Sequence, residues 1–178
     1  MFNYYRIKTD WLAEQEDGKL QKTKTEELVF ASSYTEAEKV AYALAEKYER
    51  AKFGSFEIEI VKTKISELLY SNILSTEEAT VCGLINSYFE EPDTTGIGMY
   101  QVKVYYTEVD EVSGKEKHKT ETIFTPAQSN SDASYAVLDY LKKIGEQRDY
   151  VVRDAKFDKA EAILLPTDVY QSKVNALA

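Results

Sequence analysis

The sequence predicts an α+β protein made of two β-β-α-β units, an internal duplication with antiparallel sheets backed by helices and a pseudo-two-fold relation between the halves. Three observations predict it. The stretch "DGKLQKTKTEELVF" (residues 17–30) is echoed by "SGKEKHKTETIF" (residues 113–124), each leaving a Gly-Lys turn, passing Lys-Thr-Glu and ending in an apolar run. Two helical stripes of 3.6 period repeat in phase. After each helix comes a strand, and the continuations "KISELL" and "KAEAIL" match at an offset of 95.

The first strand of each unit is "YRIKTD" from Tyr5 and "YQVKVY" from Tyr100, also 95 apart. The turn glycines Gly18 and Gly114 follow at 96, and Lys24-Thr25-Glu26 meets Lys119-Thr120-Glu121 at 95. Turns absorb such single-residue changes. In the first helix Ser33-x-x-Glu36 is a capping box, and Ala37, Val40, Ala41, Leu44, Ala45 and Tyr48 form the stripe. Ala133, Ala136, Val137, Tyr140, Leu141 and Ile144 occupy the same phases at 96, with Asn130 or Ser131 as cap and Gly145 as stop. The third strands are "FEIEIVKTK" at 56–64 and "YVVRDAKF" at 150–157. A unit this small buries sheet and helix poorly alone, so the halves are expected to pack together.

Between the repeats, Ser75-x-x-Glu78 reads as a second capping box, and Val81, Leu84, Ile85 and Tyr88 as the stripe of a short helix. An acidic linker, Glu90-Glu91-Pro92-Asp93, and a Thr-Thr-Gly-Ile-Gly stretch follow. The division is therefore a first repeat (1–70), an acidic helical insert and linker (71–98), a second repeat (99–165) and a C-terminal tail (166–178). The insert either caps the core or serves as an acidic arm for a partner.

With 178 residues, 43% of them hydrophobic, the chain has material for a real core. No apolar stretch approaches the roughly 20 residues of a membrane helix, and "MFNYYRIKTDW" lacks the apolar centre of a signal peptide. A single cysteine, Cys82, excludes an internal disulfide and fits a reducing compartment. The expected location is cytoplasmic. The net charge of −9 opposes nonspecific nucleic-acid binding, but residues 71–98 hold five acids and no base. Each repeat carries only −2, which leaves room for local basic patches.

No catalytic constellation is visible, and the expectation is a protein that is not an enzyme and takes no cofactor or metal. His118, the sole histidine, lies among lysines that depress its basicity. Cys82 has no second thiol or spaced histidine for a metal. "EQEDG" lacks the ligand alternation of a calcium loop, and "GIG" lacks the third glycine of a dinucleotide fingerprint.

Aromatic and basic residues do interleave on the strands. Tyr4, Arg6 and Lys8 share one face, with Tyr5, Ile7 and Trp11 on the other; Lys103 and Tyr105 alternate with Val102, Val104 and Tyr106. The apolar sets are expected to face the helices, leaving the others outward. The hairpin partners add Lys22 and Lys24, and Lys115, Lys117 and Lys119. Lysines at every second position suit a phosphate backbone, and exposed tyrosines suit unpaired bases. Edge-strand lysines that block sheet aggregation have the same pattern. Parity alone leaves open which face the hairpin lysines occupy.

The combination of "FASSYTEAEKVAYALAE", "VKTKISELL" and "YQVKVYYTEVDEVSGKEKHKTE" resembles a small-protein family of unassigned function from gut Bacteroidetes and their tailed phages, over about residues 3–70 and 99–165. The resemblance implies a replication protein similar to the transcriptional-coactivator/Whirly superfamily, a curved sheet backed by helices that binds unpaired strands without base specificity. The chain departs from that superfamily in placing its helix after two strands rather than four. The function expected is sequence-nonspecific single-stranded-DNA binding in phage-type DNA replication. Arg6, Lys8, Lys22, Lys24, Lys103, Lys115, Lys117 and Lys119 would meet phosphates, Tyr4 and Tyr105 would stack on bases, and residues 71–98 would meet a replication-protein partner. The alternative is a protein–protein interaction module that binds no nucleic acid.

Overall fold

The computed structural model describes residues 2–69, 75–88 and 96–175. In chain order the elements are β1 (Asn3–Glu14), β2 (Leu20–Ala31), α1 (Tyr34–Lys47), β3 (Glu57–Thr63), β4 (Glu67–Leu68), β5 (Ser75–Val81), β6 (Leu84–Tyr88), β7 (Gly98–Val109), β8 (Glu116–Ala127), α2 (Asn130–Lys143), β9 (Asp149–Asp158), β10 (Ala162–Pro166) and α3 (Thr167–Asn175). They form an α+β fold with a six-stranded sheet, β3-β1-β2-β10-β6-β5, and a four-stranded sheet, β4-β8-β7-β9. No helix among the described residues is long and apolar enough to cross a membrane.

Each half repeats the same local architecture. A long hairpin (β1–β2, β7–β8) is flanked by a third antiparallel strand (β3, β9) and backed by one helix. Ser33 Oγ accepts the Glu36 N–H at 3.2 Å, and Ser129 Oγ accepts the Asp132 N–H at 3.1 Å. The second cap is thus Ser129, not Asn130 or Ser131; it keeps the spacing of 96 from Ser33, and the two residues after it lie inside the helix. Beyond α2, Gly145 takes φ +69°, and Glu146 N–H returns to the Leu141 carbonyl at 3.1 Å. The predicted stripes face the sheets except at their last members: Val40, Ala41 and Leu44 pack on Tyr5, Ile7 and Val29, and Ala133, Val137 and Leu141 on Tyr100, Val102 and Val104, whereas Tyr48 and Ile144 fall at the helix C-caps and are exposed.

The two halves exchange their last strands. β4, from the first half, pairs parallel with β8 in the second, setting Glu67 opposite Ile123. β10, from the second half, pairs parallel with β2 in the first, setting Ala162 opposite Glu27. A third core forms where the halves meet, from Leu28, Leu68, Met99, Phe124, Ile163 and Leu165. Each such side chain contributes about 1.5–3 kcal/mol on burial, so neither half keeps its stability alone. At this seam Arg6 makes a two-pronged ion pair with Asp158, at 2.8 and 2.7 Å.

Residues 75–88 are a β-hairpin and not the predicted helix. The sequence has both patterns, and local backbone chemistry together with tertiary pairing selects the strands. Cys82 (φ +52°) and Gly83 (φ +77°) form a two-residue turn with both φ angles positive, which matches strand twist. Gly83 would cost a helix about 1 kcal/mol, whereas β6 gains a full antiparallel ladder with β10. The hairpin therefore extends the first sheet. The predicted acidic linker and the two threonines that follow it lie outside the described residues. Part of the predicted tail is α3, whose Val169, Tyr170 and Val174 cover the central core.

Candidate nucleic-acid interface

Pairing between strands determines which side chains share a face. In the second sheet, Tyr100, Val102, Val104 and Tyr106 point at α2, as predicted. The opposite face carries no α2. Across it, Ser66 lies beside Thr122 through a 2.9 Å backbone hydrogen bond, Thr122 pairs with Lys103, and Lys103 pairs with Arg153. Neighbouring rows place Gln101 opposite Lys156, and Thr120, Tyr105 and Val151 side by side. Lys103, Arg153 and Lys156 are exposed, and so is Tyr105 at 36%. The result is an open, basic face with an aromatic ring in it. The Tyr105 hydroxyl donates to Asp154 at 2.7 Å, which orients the ring and raises its phenol above the ordinary value.

Arg153 and Lys156 were absent from the sequence-based set for a specific reason. Their spacing of three puts them on opposite faces of a regular strand. A β-bulge at Asp154, where φ is +55°, inserts one residue and brings both to the same face. Alternation alone does not locate such a bulge.

The same positions in the first half are net acidic, although Lys8 keeps the charge of Lys103. Its equivalent row is Glu161, Glu26, Lys8 and Glu59, where Glu161 N–H bonds the Glu26 carbonyl at 2.8 Å. The row holding Lys24, Asp10 and Glu57 replaces Thr120, Tyr105 and Val151. A groove of about 970 Å³ lies over this face, with Lys8, Lys24 and Lys159 set among Asp10, Glu26, Glu57, Glu59 and Glu161. Burial, followed by the charges of Glu27 and Glu26, holds the Glu161 carboxyl above its ordinary range. With five acidic and three basic side chains, this groove is net acidic and disfavours a phosphate backbone.

Of the ten residues singled out in the sequence, only Lys103 and Tyr105 come together on the basic face. Arg6 is buried, only 9% exposed, and committed to Asp158, and Tyr4 packs on Phe30 with centroids 4.8 Å apart and planes tilted by 54°. Neither lies on an outward face, because the other half of the chain covers that end of β1. Lys8, Lys22 and Lys24 belong to the mixed-charge first sheet. Lys115 sits in the β7–β8 turn, and Lys117 and Lys119 pair with Glu108 and Tyr106 on the side of α2. Lys119 is also held by Glu121 at 3.1 Å. The Lys-Thr-Glu echo misleads here: it matches at 95, but β2 and β8 register at 96, as the helices do, while β1 and β7 keep 95. That one-residue slip turns equivalent lysines to opposite faces.

The groups considered for catalysis are dispersed. His118 is exposed on β8 with Glu116 at 3.9 Å, and Cys82 is exposed at the β5–β6 turn. A different buried pair has no signal in the sequence: Glu27 and Arg50 form an ion pair between β2 and the turn that follows α1. Its counterpart in the second half is the apolar Ile123. Only the fold brings residues 23 positions apart into that contact.

No curated protein and no solved structure matches the chain. A family model for a domain of unknown function, DUF4494, matches residues 3–166. That match covers both halves and the hairpin between them, and the chain belongs to the DUF4494 family.

Proposed function

We propose that this protein binds single-stranded DNA without base specificity, as a noncatalytic component of phage-type replication in the cytoplasm. The observation that carries the proposal is the row Ser66–Thr122–Lys103–Arg153 with Tyr105 and Lys156 beside it, an open basic and aromatic face. The resemblance of the chain's motifs to a small-protein family of gut Bacteroidetes and their tailed phages, which implies such a role, supports the same reading. Lys103, Arg153 and Lys156 would neutralise phosphates, and Tyr105 would stack on a base whatever its identity. The overall charge of −9 does not forbid this. At physiological salt a charge more than about 8 Å away is largely screened, so the local face dominates.

The test is binding of unlabelled single-stranded DNA across a salt series. The wild type is expected to prefer single strands to duplex and to show a steep log-log salt dependence. Replacing Lys103, Arg153 and Lys156 with alanine lowers that slope by about 2, at roughly 0.7 per phosphate released. Replacing Lys115, Lys117 and Lys119 leaves it nearly unchanged, because these lie in the turn and on the other face. Absence of wild-type binding at roughly 20 mM salt, where the Debye length is about 20 Å, refutes the proposal. The acidic groove on the first sheet favours a second reading in that event, a protein-interaction module for a basic partner.

A further inference from the structure

We propose that the cleft between the start of β1 and the β3–β4 connection is a stacking subsite for one unpaired nucleotide, continuing the single-strand path off the basic face. The inference rests on the single-strand reading above. The cleft measures about 590 Å³, and Phe2, Tyr4, Phe30, Lys62, Lys64 and Ser66 line it. A volume in the range of about 300–1,000 Å³ is that of small-molecule sites.

Three features give the cleft this ligand. The first is continuity. Ser66 belongs both to the cleft and to the basic row, joined to Thr122 by hydrogen bonds of 2.9 and 3.3 Å. The row from Arg153 to Ser66 crosses three strand gaps, about 14 Å in all, so a strand lying along it runs directly to the cleft.

The second is the aromatic wall. Phe2 and Phe30 stack with centroids 5.2 Å apart and planes 11° from parallel, while Phe2 remains 55% exposed. One face of Phe2 is thus supported by Phe30, and the ring presents the rest to solvent as a platform for a base. Tyr4 also packs on Phe30, with centroids 4.8 Å apart. Burial and the nearby Glu67 raise the Tyr4 phenol well above its ordinary value, so it stays neutral beside a phosphate. The Glu67 carboxylate is itself engaged by Lys173. Lys62 and Lys64 are exposed at the cleft and supply the positive charge.

The third is the contrast with the other half. The residues equivalent to Phe2, Tyr4, Phe30 and Ser66 are Ile97, Met99, Pro126 and Glu161, at the spacings of 95 and 96 that relate the halves. The acidic side therefore loses these three rings and gains a carboxylate, and Phe157, which lines its groove, lies among five acidic side chains. The stacked Phe2–Phe30 pair beside two lysines has no counterpart at the equivalent positions.

The experiment compares oligothymidylates of about 4 and about 12 nucleotides, within the range of site sizes such folds occupy. Phe2→Ala is expected to weaken the longer oligomer about 5- to 150-fold, the measured span for loss of one stacked base, and to leave the shorter one, held by the basic face, nearly unchanged. Photocrosslinking of a 5-iodouracil-substituted longer oligomer to the wild type is expected to mark peptides holding residues 2–4 or 62–66. Lys64→Ala, an exposed change that leaves the aromatic packing intact, is expected to lower the salt slope of the longer oligomer by about 0.7. Unaltered affinity and slope in both variants with no crosslink in those peptides, while the Lys103, Arg153 and Lys156 replacement still weakens binding, overturns the subsite and spares the basic face. Absence of wild-type binding to either oligomer overturns both.

Discussion

Replacing Asp158 with alanine tests the seam between the halves. The carboxylate accepts Arg6 Nη1 at 2.8 Å, Arg6 Nη2 at 2.7 Å and the Ala160 N–H at 2.8 Å, and also accepts the Gln101 amide. The Arg6 and Asp158 side chains are 10% and 2% exposed. Without the carboxylate, the guanidinium stays buried with Glu26 at 4.0 Å as its remaining ion-pair partner. Stranding a buried charge in this way costs about 3–5 kcal/mol, a large share of the 5–15 kcal/mol typical of a domain.

Urea unfolding at pH 7, followed by far-ultraviolet circular dichroism, measures this loss. The double variant Arg6→Met, Asp158→Leu is expected to recover most of it, because no charge is left unpaired. Burial alone would raise the Asp158 carboxyl, but Arg6, Gln101 and the Ala160 N–H outweigh burial and hold it below the ordinary carboxylate value. A carboxyl depressed in the fold adds stability above its unfolded value and loses it as pH falls through its folded value. The gap between wild type and Asp158→Ala is therefore complete above about pH 5 and closes as the solution is acidified below about pH 4. A loss under about 1 kcal/mol at pH 7, or a gap that widens in acid, refutes the reasoning.

Three further outcomes are expected. Gly83→Ala costs about 1–2 kcal/mol in urea unfolding, the penalty for a left-handed L-residue, since a Cβ there meets no atom within 4 Å and only the φ of +77° is strained. Replacing the buried pair together, Glu27→Ile with Arg50→Leu, leaves stability unchanged or raises it by up to about 4 kcal/mol, whereas Arg50→Leu alone destabilises; Ile123 already fills the equivalent place in the other half. Tyr105→Ala weakens single-strand binding by about 1–3 kcal/mol without changing the salt slope, and Tyr105→Phe, which keeps the ring, retains most of the affinity.

The candidate site was legible only where local alternation sufficed. Lys103 and Tyr105 follow from the parity of β7, whose apolar residues face α2. Arg153 and Lys156 required the bulge at Asp154, which breaks parity. Arg6 and Tyr4 read as surface because their strand alternates correctly, yet the face they share is covered by the other half of the chain. The hairpin at 75–88 satisfies a helical stripe and a strand turn at once, and pairing with β10 decides between them.

By itself the sequence determined the α+β class, the repeated order of strands and helix, both helical stripes and the faces they bury. These are short-range properties, because the 3.6 and 2.0 periods of apolar residues select an element before any distant contact forms. Only the tertiary structure decided the exchange of β4 and β10, the buried Arg6–Asp158 and Glu27–Arg50 pairs, and the division into one acidic and one basic face. Each of those depends on which strand lies beside which, and in what register. Strand pairing joins residues far apart in the chain, so a slip of one position reverses every side chain while leaving the local pattern intact.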